Sequence, residues 1–194
     1  MYYVVKYSGP FGYIKPWTAV RDGETYSQQF LTPSIIKGIE LKLFPELLRE
    51  TLSTGEIQKI RRYKLTYGKL DIQQEQTRAK EFKRTTTNTG IVKINTSILK
   101  RGIMINPVLK LAFTYREDAE KAMVQHICLA RNEDILISDS NIIEMNEEDF
   151  NVLDGFELRF EEIEQSFLVG FNRFNKAKPM YGWLDIVGKP IRNE

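Results

Sequence analysis

The segment from Gly68 to Arg101 is the feature that most limits what this chain can fold into. It is rich in charged and amide side chains and poor in core-forming residues. A stretch of roughly thirty residues with this composition cannot bury enough apolar surface to act as a core element. We therefore expect residues 68–101 to form a long loop or a projecting hairpin. Asn88-Thr89-Gly90 is a turn candidate, and Ile91–Ile94 is a candidate returning strand.

Outside this insertion, apolar periodicity predicts two helices and several strands. Thr32 and Pro33 mark the start of a helix, as an N-cap followed by proline at the first helical position. The other predicted elements are strands at 2–7, 57–67 and 103–113, an amphipathic helix at 116–126, and two short strands within 127–138. The order strand, helix, strand, strand, helix, strand is that of a split βαβ, ferredoxin-like domain, which RNA-recognition domains share. The predicted class is α+β.

Residues 140–194 carry short predicted strands at 155–160, 166–171 and 180–187. We interpret them as a small β-rich C-terminal region that follows an RNA-recognition-like domain over residues 1–139. Near its start, Asn146 precedes three acidic residues, Glu147–Asp149. The acidic cluster Glu144–Asp149 could hold a hard cation, but Asn146 and the three acids after it more simply resemble an N-cap with a first turn that suits the helix dipole.

The scarcity of histidine and cysteine excludes several kinds of chemistry. The chain has one His and one Cys, too few for a structural zinc site or a disulfide. Nucleophilic catalysis would have to use His126. No phosphate-binding glycine loop and no Gly-x-Ser-x-Gly motif is present. We expect no metal and no cofactor. The N-terminus does not resemble a signal peptide, and no stretch is apolar enough to cross a membrane, so a cytoplasmic setting is expected.

A net charge of +2 hides two regions of opposite sign. Residues 56–101 contain 12 Lys and Arg against 4 Asp and Glu, whereas residues 116–165 contain 4 against 15. A basic block of this kind suits a phosphate backbone, although it is also compatible with an ordinary solvated surface. Residues 11–31 add aromatic side chains interleaved with cations, a combination that suits single-stranded nucleic acid.

These observations give a set of candidate RNA-binding residues. They are the cations of both regions, two aromatic residues and the hydroxyls of the predicted helix start, where unpaired N–H groups favour phosphate. The set is Lys15, Trp17, Arg21, Tyr26, Thr32, Ser34, Arg61, Arg62, Lys64, Lys69, Arg78, Lys80, Lys83, Arg84, Lys93, Lys100 and Arg101.

The N-terminal residues resemble the CRISPR-associated Cas-five family, the CasD-like subunits of type I Cascade within the RAMP superfamily. The likeness lies in Gly9-Pro10-Phe11, Lys15-Pro16-Trp17, Tyr26 and the run Leu31-Thr32-Pro33-Ser34-Ile35-Ile36-Lys37-Gly38-Ile39. Beyond residue 44 the resemblance is architectural. Leu129–Asp134 resembles a Gly-Arg-Glu-containing turn of the family, but Ala130 stands where glycine is common.

The resemblance implies a RAMP fold with a basic hairpin thumb at about residues 68–101. It implies a non-catalytic Cascade subunit that binds the 5′ handle of CRISPR RNA and caps the backbone of the complex. The implied partners are CRISPR RNA, the backbone subunit and the large subunit, with target DNA as a further candidate contact and no membrane. The acidic 116–165 surface is a candidate for the protein contacts.

Alternatives remain open at this stage. Some family members cut precursor CRISPR RNA without metal, using Tyr, Lys and His. Here Lys121 and His126 are the candidates, but they lie five residues apart on the predicted helix and therefore on different faces. Whether the protein is an enzyme is thus left open, with a metal-independent endoribonuclease as the alternative. A related type III subunit and a stand-alone RNA-binding module are the other possibilities.

Overall fold

The computed structural model describes residues 1–16, 23–50, 56–78, 84–86, 92–94, 96–129, 131–172 and 176–193. The strands are β1 (Tyr2–Ser8), β2 (Phe11–Gly12), β3 (Glu24–Tyr26), β4 (Ile60–Thr66), β5 (Lys69–Arg78), β6 (Arg84–Thr86), β7 (Val92–Ile94), β8 (Thr96–Ile105), β9 (Val108–Phe113), β10 (Ile127–Cys128), β11 (Ile135–Met145), β12 (Gly155–Arg159), β13 (Phe167–Asn172) and β14 (Lys178–Val187). The helices are α1 (Pro33–Leu43), α2 (Leu47–Glu50), α3 (Arg116–Met123) and α4 (Glu147–Asn151).

Eight strands form one antiparallel sheet in the order β10, β11, β1, β9, β4, β12, β14, β13. The four strands β11, β1, β9 and β4 come from two units, β1–α1–β4 and β9–α3–β11. In the sheet, β9 lies between β1 and β4, and β1 lies between β11 and β9. Neighbouring strands therefore come from different units, and they run antiparallel. The predicted α+β class is confirmed.

Helices α1 and α3 pack into one apolar core on the same face of the sheet. Helix α1 begins after Thr32 with Pro33 in its first turn, as predicted. The buried Tyr63 hydroxyl donates to Leu31 O (3.1 Å) and accepts from the N–H groups of Leu31 (3.0 Å) and Leu158 (2.7 Å). The Tyr63 side chain of β4 therefore binds both the residue before the α1 N-cap, Leu31, and strand β12 to the centre of the sheet.

A smaller cluster lies on the opposite face, where Phe150 of α4 packs on Val4 and Ala112. Helix α4 begins as predicted, because the Asn146 side chain accepts a hydrogen bond from the Asp149 N–H at 2.7 Å. Glu147–Asp149 of the acidic cluster are therefore the first turn of a capped helix, whereas Glu144 lies in β11 and pairs with Arg116.

The described residues of the polar insertion form two pairs of strands. Strands β5 and β8 are in continuous antiparallel register from Lys69 opposite Ile105 to Arg78 opposite Thr96. We call this pair the ribbon. Strand β8 begins at Thr96, well before the predicted start at residue 103, because backbone pairing needs no apolar alternation. It ends at Ile105, so the predicted strand 103–113 is divided between β8 and β9. The predicted returning strand corresponds to β7, which pairs with β6.

The C-terminal strands extend the same sheet. Strand β12 pairs with β4 through Phe156 and Leu65, and β14 and β13 follow outward. Strand β11 runs through the predicted boundary between residues 139 and 140. It is longer than the predicted strand because pairing with β1 continues past the polar residues Ser138–Asn141. The division into two regions stays a prediction.

Two other element ends differ from expectation for local reasons. Helix α3 ends at Met123 rather than residue 126, and the Gln125 N–H bonds to Ala122 O in a turn. Strand β4 begins at Ile60 rather than residue 57, because the backbone N–H groups of residues 58–60 bond to a side chain instead of a neighbouring strand.

That side chain is Glu40, which is fully buried in α1. Its Oε1 accepts from the N–H groups of Gln58 (2.8 Å), Lys59 (2.5 Å) and Ile60 (3.2 Å). Its Oε2 accepts from the Lys37 ammonium at 2.7 Å. A carboxylate can be buried in this way because charged hydrogen bonds occupy both oxygens. Glu40 thereby fixes where β4 enters the sheet.

Replacing Glu40 by Gln should lower the free energy of unfolding by about 2–4 kcal/mol. The amide keeps one acceptor but turns an N–H group toward the Lys37 ammonium. Urea denaturation of the full chain measures the change. Glu46→Gln is the matched control, because Glu46 is exposed and should change stability by less than about 1 kcal/mol. Equal effects of the two substitutions would contradict this role of Glu40.

Candidate nucleic-acid interface

Strand β8 is paired on both edges where the ribbon meets the core. On one edge it pairs with β5, and on the other with β2 and, in parallel, with β3. The Lys100 N–H donates to Gly23 O and the Ser27 N–H donates to Gly102 O, both at 2.7 Å. The aromatic-basic N-terminal segment and the basic insertion are therefore parts of one sheet, a contact that their separation in sequence does not indicate.

Tyr26 lies over Gly102 at this junction. The two residues are paired across β3 and β8, and a Cβ on Gly102 would lie only 2.1 Å from Cδ1 of the Tyr26 ring. Tyr26 as a residue stays 51% exposed. Its hydroxyl donates to Glu24 Oε1 at 2.9 Å, and this hydrogen bond raises the pKa of Tyr26. The hydroxyl therefore remains a protonated donor at neutral pH.

On the other side of the junction, two arginines approach the buried ring of Tyr13. The guanidinium carbon of Arg131 is 5.4 Å from the ring centroid and that of Arg101 is 5.9 Å away. Arg101 donates to the Thr25 hydroxyl at 2.5 Å, and Arg131 donates to Gln73 at 3.1 Å. The predicted site residue Arg101 thus fixes the base of the ribbon against the core.

Arg131 is a residue of this junction that the sequence set omits. Its guanidinium binds the Asp134 carboxylate at 2.7 and 2.9 Å, and this hydrogen bonding raises the pKa of Arg131. The available signal was the Leu129–Asp134 stretch, which resembles a family turn.

The predicted helix-start residues follow β3 in the chain. The Gln28 N–H donates to Ile14 O at 2.8 Å, which brings exposed Lys15 beside the segment that leads to α1. The Thr32 hydroxyl is buried and lies 3.0 Å from the hydroxyl of exposed Ser34. Thr32 makes no side-chain cap hydrogen bond.

Two predicted phosphate contacts, Arg62 and Lys64, lie in the protein interior. Arg62 binds Glu157 through two hydrogen bonds of 2.5 and 2.7 Å. Burial opposes its charged form, but the hydrogen bonds and charge of Glu157 raise the pKa of Arg62. Lys64 is fully buried between Glu157 (3.4 Å) and Asp185 (3.2 Å). Because their acidic partners lie more than eighty residues away in sequence, the charge count could not separate these internal cations from surface ones.

The exposed cations fall into two places. Lys69 and Lys100 lie on the ribbon, each with a carboxylate nearby, Asp71 at 3.4 Å and Glu24 at 3.9 Å respectively. Arg61 lies at the start of β4 and donates to Thr114 at 3.3 Å. The ribbon follows the other end of β4, about 20 Å from Arg61. The structure therefore does not bring Arg61 together with the ribbon.

The remaining predicted cations and Trp17 are only partly covered by the structure. Trp17, Arg21, Lys80 and Lys83 lie outside the described residues. Arg78, Arg84 and Lys93 are placed by strand register alone.

The alternative catalytic residues are exposed and do not share a partner. His126 follows α3 and, among the described residues, has neither a hydrogen-bond nor an ion-pair partner. The Lys121 ammonium lies 3.6 Å from Glu46. Within the described parts of the chain, no group of three or more His, Cys, Asp or Glu side chains could hold a metal ion. None of the helices there is long and apolar enough to cross a membrane.

Glu157→Gln should lower the free energy of unfolding by about 3–5 kcal/mol, because it leaves Arg62 and Lys64 as buried cations with too little opposing charge. Glu161→Gln is the control, since Glu161 pairs with Arg159 at an exposed position. This substitution should change the free energy of unfolding by less than about 1 kcal/mol. Chemical denaturation distinguishes the two. A stable Glu157→Gln protein would mean that the two cations are solvated and available to a ligand.

Comparisons with known proteins give one fold-level result. No family model and no curated protein matches the sequence. Among solved structures, the fold is similar to a chain of a "CRISPR RNA-guided surveillance complex", with a TM-score of 0.55 and 10% sequence identity. The similarity covers 96% of this chain and 90% of that one. The chain therefore shares its fold with a component of a CRISPR RNA-guided surveillance complex.

Proposed function

We propose that this protein is a non-catalytic subunit of a Cascade-type surveillance complex. It binds the 5′ handle of CRISPR RNA and caps one end of the complex backbone. The observation that carries this proposal is the junction at β8, where β3 of the aromatic-basic segment and the basic ribbon are paired in one sheet.

The fold supports the proposal in two ways. The shared fold extends over nearly the whole length of both chains in the structural comparison. The interleaved order of β11, β1, β9 and β4 also suits a ferredoxin-like RAMP domain, with the ribbon as its thumb.

The charge distribution supports RNA as the ligand of the ribbon. Residues 79–95, between the two ribbon strands, contain Lys80, Lys83, Arg84 and Lys93 against Glu81 alone. Cations in a projecting hairpin can follow a phosphate backbone without displacing core contacts. On β4, by contrast, Arg62 and Lys64 are neutralised internally, so the RNA-binding charge is concentrated on the insertion.

The acidic region has a divided role in this proposal. Some of its carboxylates stabilise the fold through internal ion pairs, such as that of Asp118 with Lys59 (2.5 Å) and that of Glu157 with Arg62. Others, in the first turn of α4, are exposed. These exposed acids are the proposed contacts for neighbouring protein subunits.

A four-residue variant of the insertion tests RNA binding. Lys80, Lys83, Arg84 and Lys93 are each replaced by Gln in the full chain. The probe is a fluorescently labelled single-stranded RNA with the repeat-derived 5′ segment of the host's CRISPR RNA, and binding is followed by anisotropy between 50 and 300 mM salt. If all four cations contact phosphates, the slope of log K against log salt falls by about 3, since each contact contributes about 0.7.

The matched control removes four positive charges elsewhere, from Lys121, Lys176, Lys178 and Lys189, all of which are exposed. Its salt slope should stay close to that of the unmodified protein. Equal weakening by both variants, or by neither, would contradict the proposed interface. A defined cut in the RNA in the presence of EDTA, lost in His126→Ala, would support the endoribonuclease alternative instead.

A further inference from the structure

The outer face of the ribbon carries exposed apolar side chains around Tyr26. Opposed residues of antiparallel strands point to the same face, so Ile72 shares a face with Gly102, and Gln74 with Lys100. Every second residue of a strand points to the same face, so Ile98 lies on this face as well. Ile72 is 49% exposed and Ile98 is 60% exposed. Apolar side chains exposed on a hydrophilic ribbon indicate a binding surface more than a packing requirement.

Gly102 determines how the Tyr26 ring sits on this face. Three ring atoms, Cδ1, Cε1 and Cγ, would lie 2.1, 2.8 and 2.9 Å from a Cβ on Gly102. Any other residue would therefore push the ring away from β8. Because the backbone of β8 supports one side of the ring and Glu24 holds its hydroxyl, the other side faces solvent in a fixed orientation.

We propose that Tyr26, supported by Gly102, is a stacking platform for one unpaired base of the bound RNA. Ile72 extends the apolar surface beside the ring. Lys100 lies two positions from Gly102 on the same face of β8, about 7 Å along the strand, where it can bind the phosphate next to the stacked base.

The charge of the ribbon favours an RNA base over an apolar protein side chain as the occupant. Lys100 is the next residue on this face toward the end of the ribbon from which the cation-rich segment 79–95 continues in the chain. A nucleotide is the ligand that combines a flat apolar face with an anion. The inference rests on the proposed function and adds to it the mode of contact. Gly102 acts as a positioning residue, since its own atoms offer nothing that a base requires beyond space for the ring.

The test compares variants at positions 26 and 102, using RNA of the same sequence with 2-aminopurine at single positions. Tyr26→Ala should weaken binding about 5- to 100-fold and remove the quenching of one 2-aminopurine, whereas Tyr26→Phe should bind within about twofold of the unmodified protein. Gly102→Ala should behave like Tyr26→Ala, because it displaces the ring. In all these variants the salt slope should stay unchanged, since no phosphate contact is removed.

Tyr115→Ala is the matched control, because Tyr115 is 66% exposed and lies before α3, at the end of β9 away from the ribbon. It should alter neither affinity nor quenching. Tyr26→Leu keeps an apolar contact with Gly102 without an aromatic ring and so provides a folded reference if Gly102→Ala is unstable. Its affinity should fall to that of Tyr26→Ala.

Two results would overturn the platform alone. One is RNA binding that depends on the four cations of segment 79–95 while Tyr26→Ala binds as tightly as the unmodified protein. The other is unchanged quenching at every labelled position. If the unmodified protein does not bind the RNA at all, the proposed function itself fails.

Discussion

The two-sided pairing of β8 is the constraint on which the rest of the molecule depends. A ribbon joined to the core only through β4 and β9 could point in many directions, because a paired hairpin has no side-chain contacts beyond its own strands. Here β2 and β3 bind the second edge of β8, and Tyr13, Arg101 and Arg131 pack at its base. These contacts give the ribbon a defined origin and place Tyr26 on it.

The internal ion pairs change how the charge of the chain should be interpreted. The basic block and the acidic block are partly partners of each other, through Lys59, Arg62 and Lys64 on the basic side. Such pairs contribute little net stability compared with well-packed apolar residues, but they are costly to break. They hold β12 and β14 against β4. The excess of cations in the sequence is then largest in segment 79–95, which has four cations and one acid.

The sequence predicted best what depends on local physics. The start of α1 at Thr32 and Pro33, the Asn146 cap and the inability of residues 68–101 to form a core all follow from neighbouring residues. It failed where distant segments meet. No local pattern reveals the partners of Lys64 or the contact of Tyr26 with Gly102. The same holds for the late start of β4 at Ile60, which depends on the distant side chain of Glu40. A hairpin was one of the two expectations for residues 68–101, but the extent of β5 and β8 was not predicted, because backbone pairing needs no hydrophobic alternation.

Photo-crosslinking tests most directly whether the RNA lies on the β8 junction. The full chain is bound to 4-thiouridine-labelled RNA that carries the repeat-derived 5′ segment, irradiated, and analysed by peptide mass spectrometry. The account predicts cross-links within residues 13–34 and 68–105. Cross-links concentrated at the opposite end of the sheet, within residues 44–61 and 114–121, would contradict it.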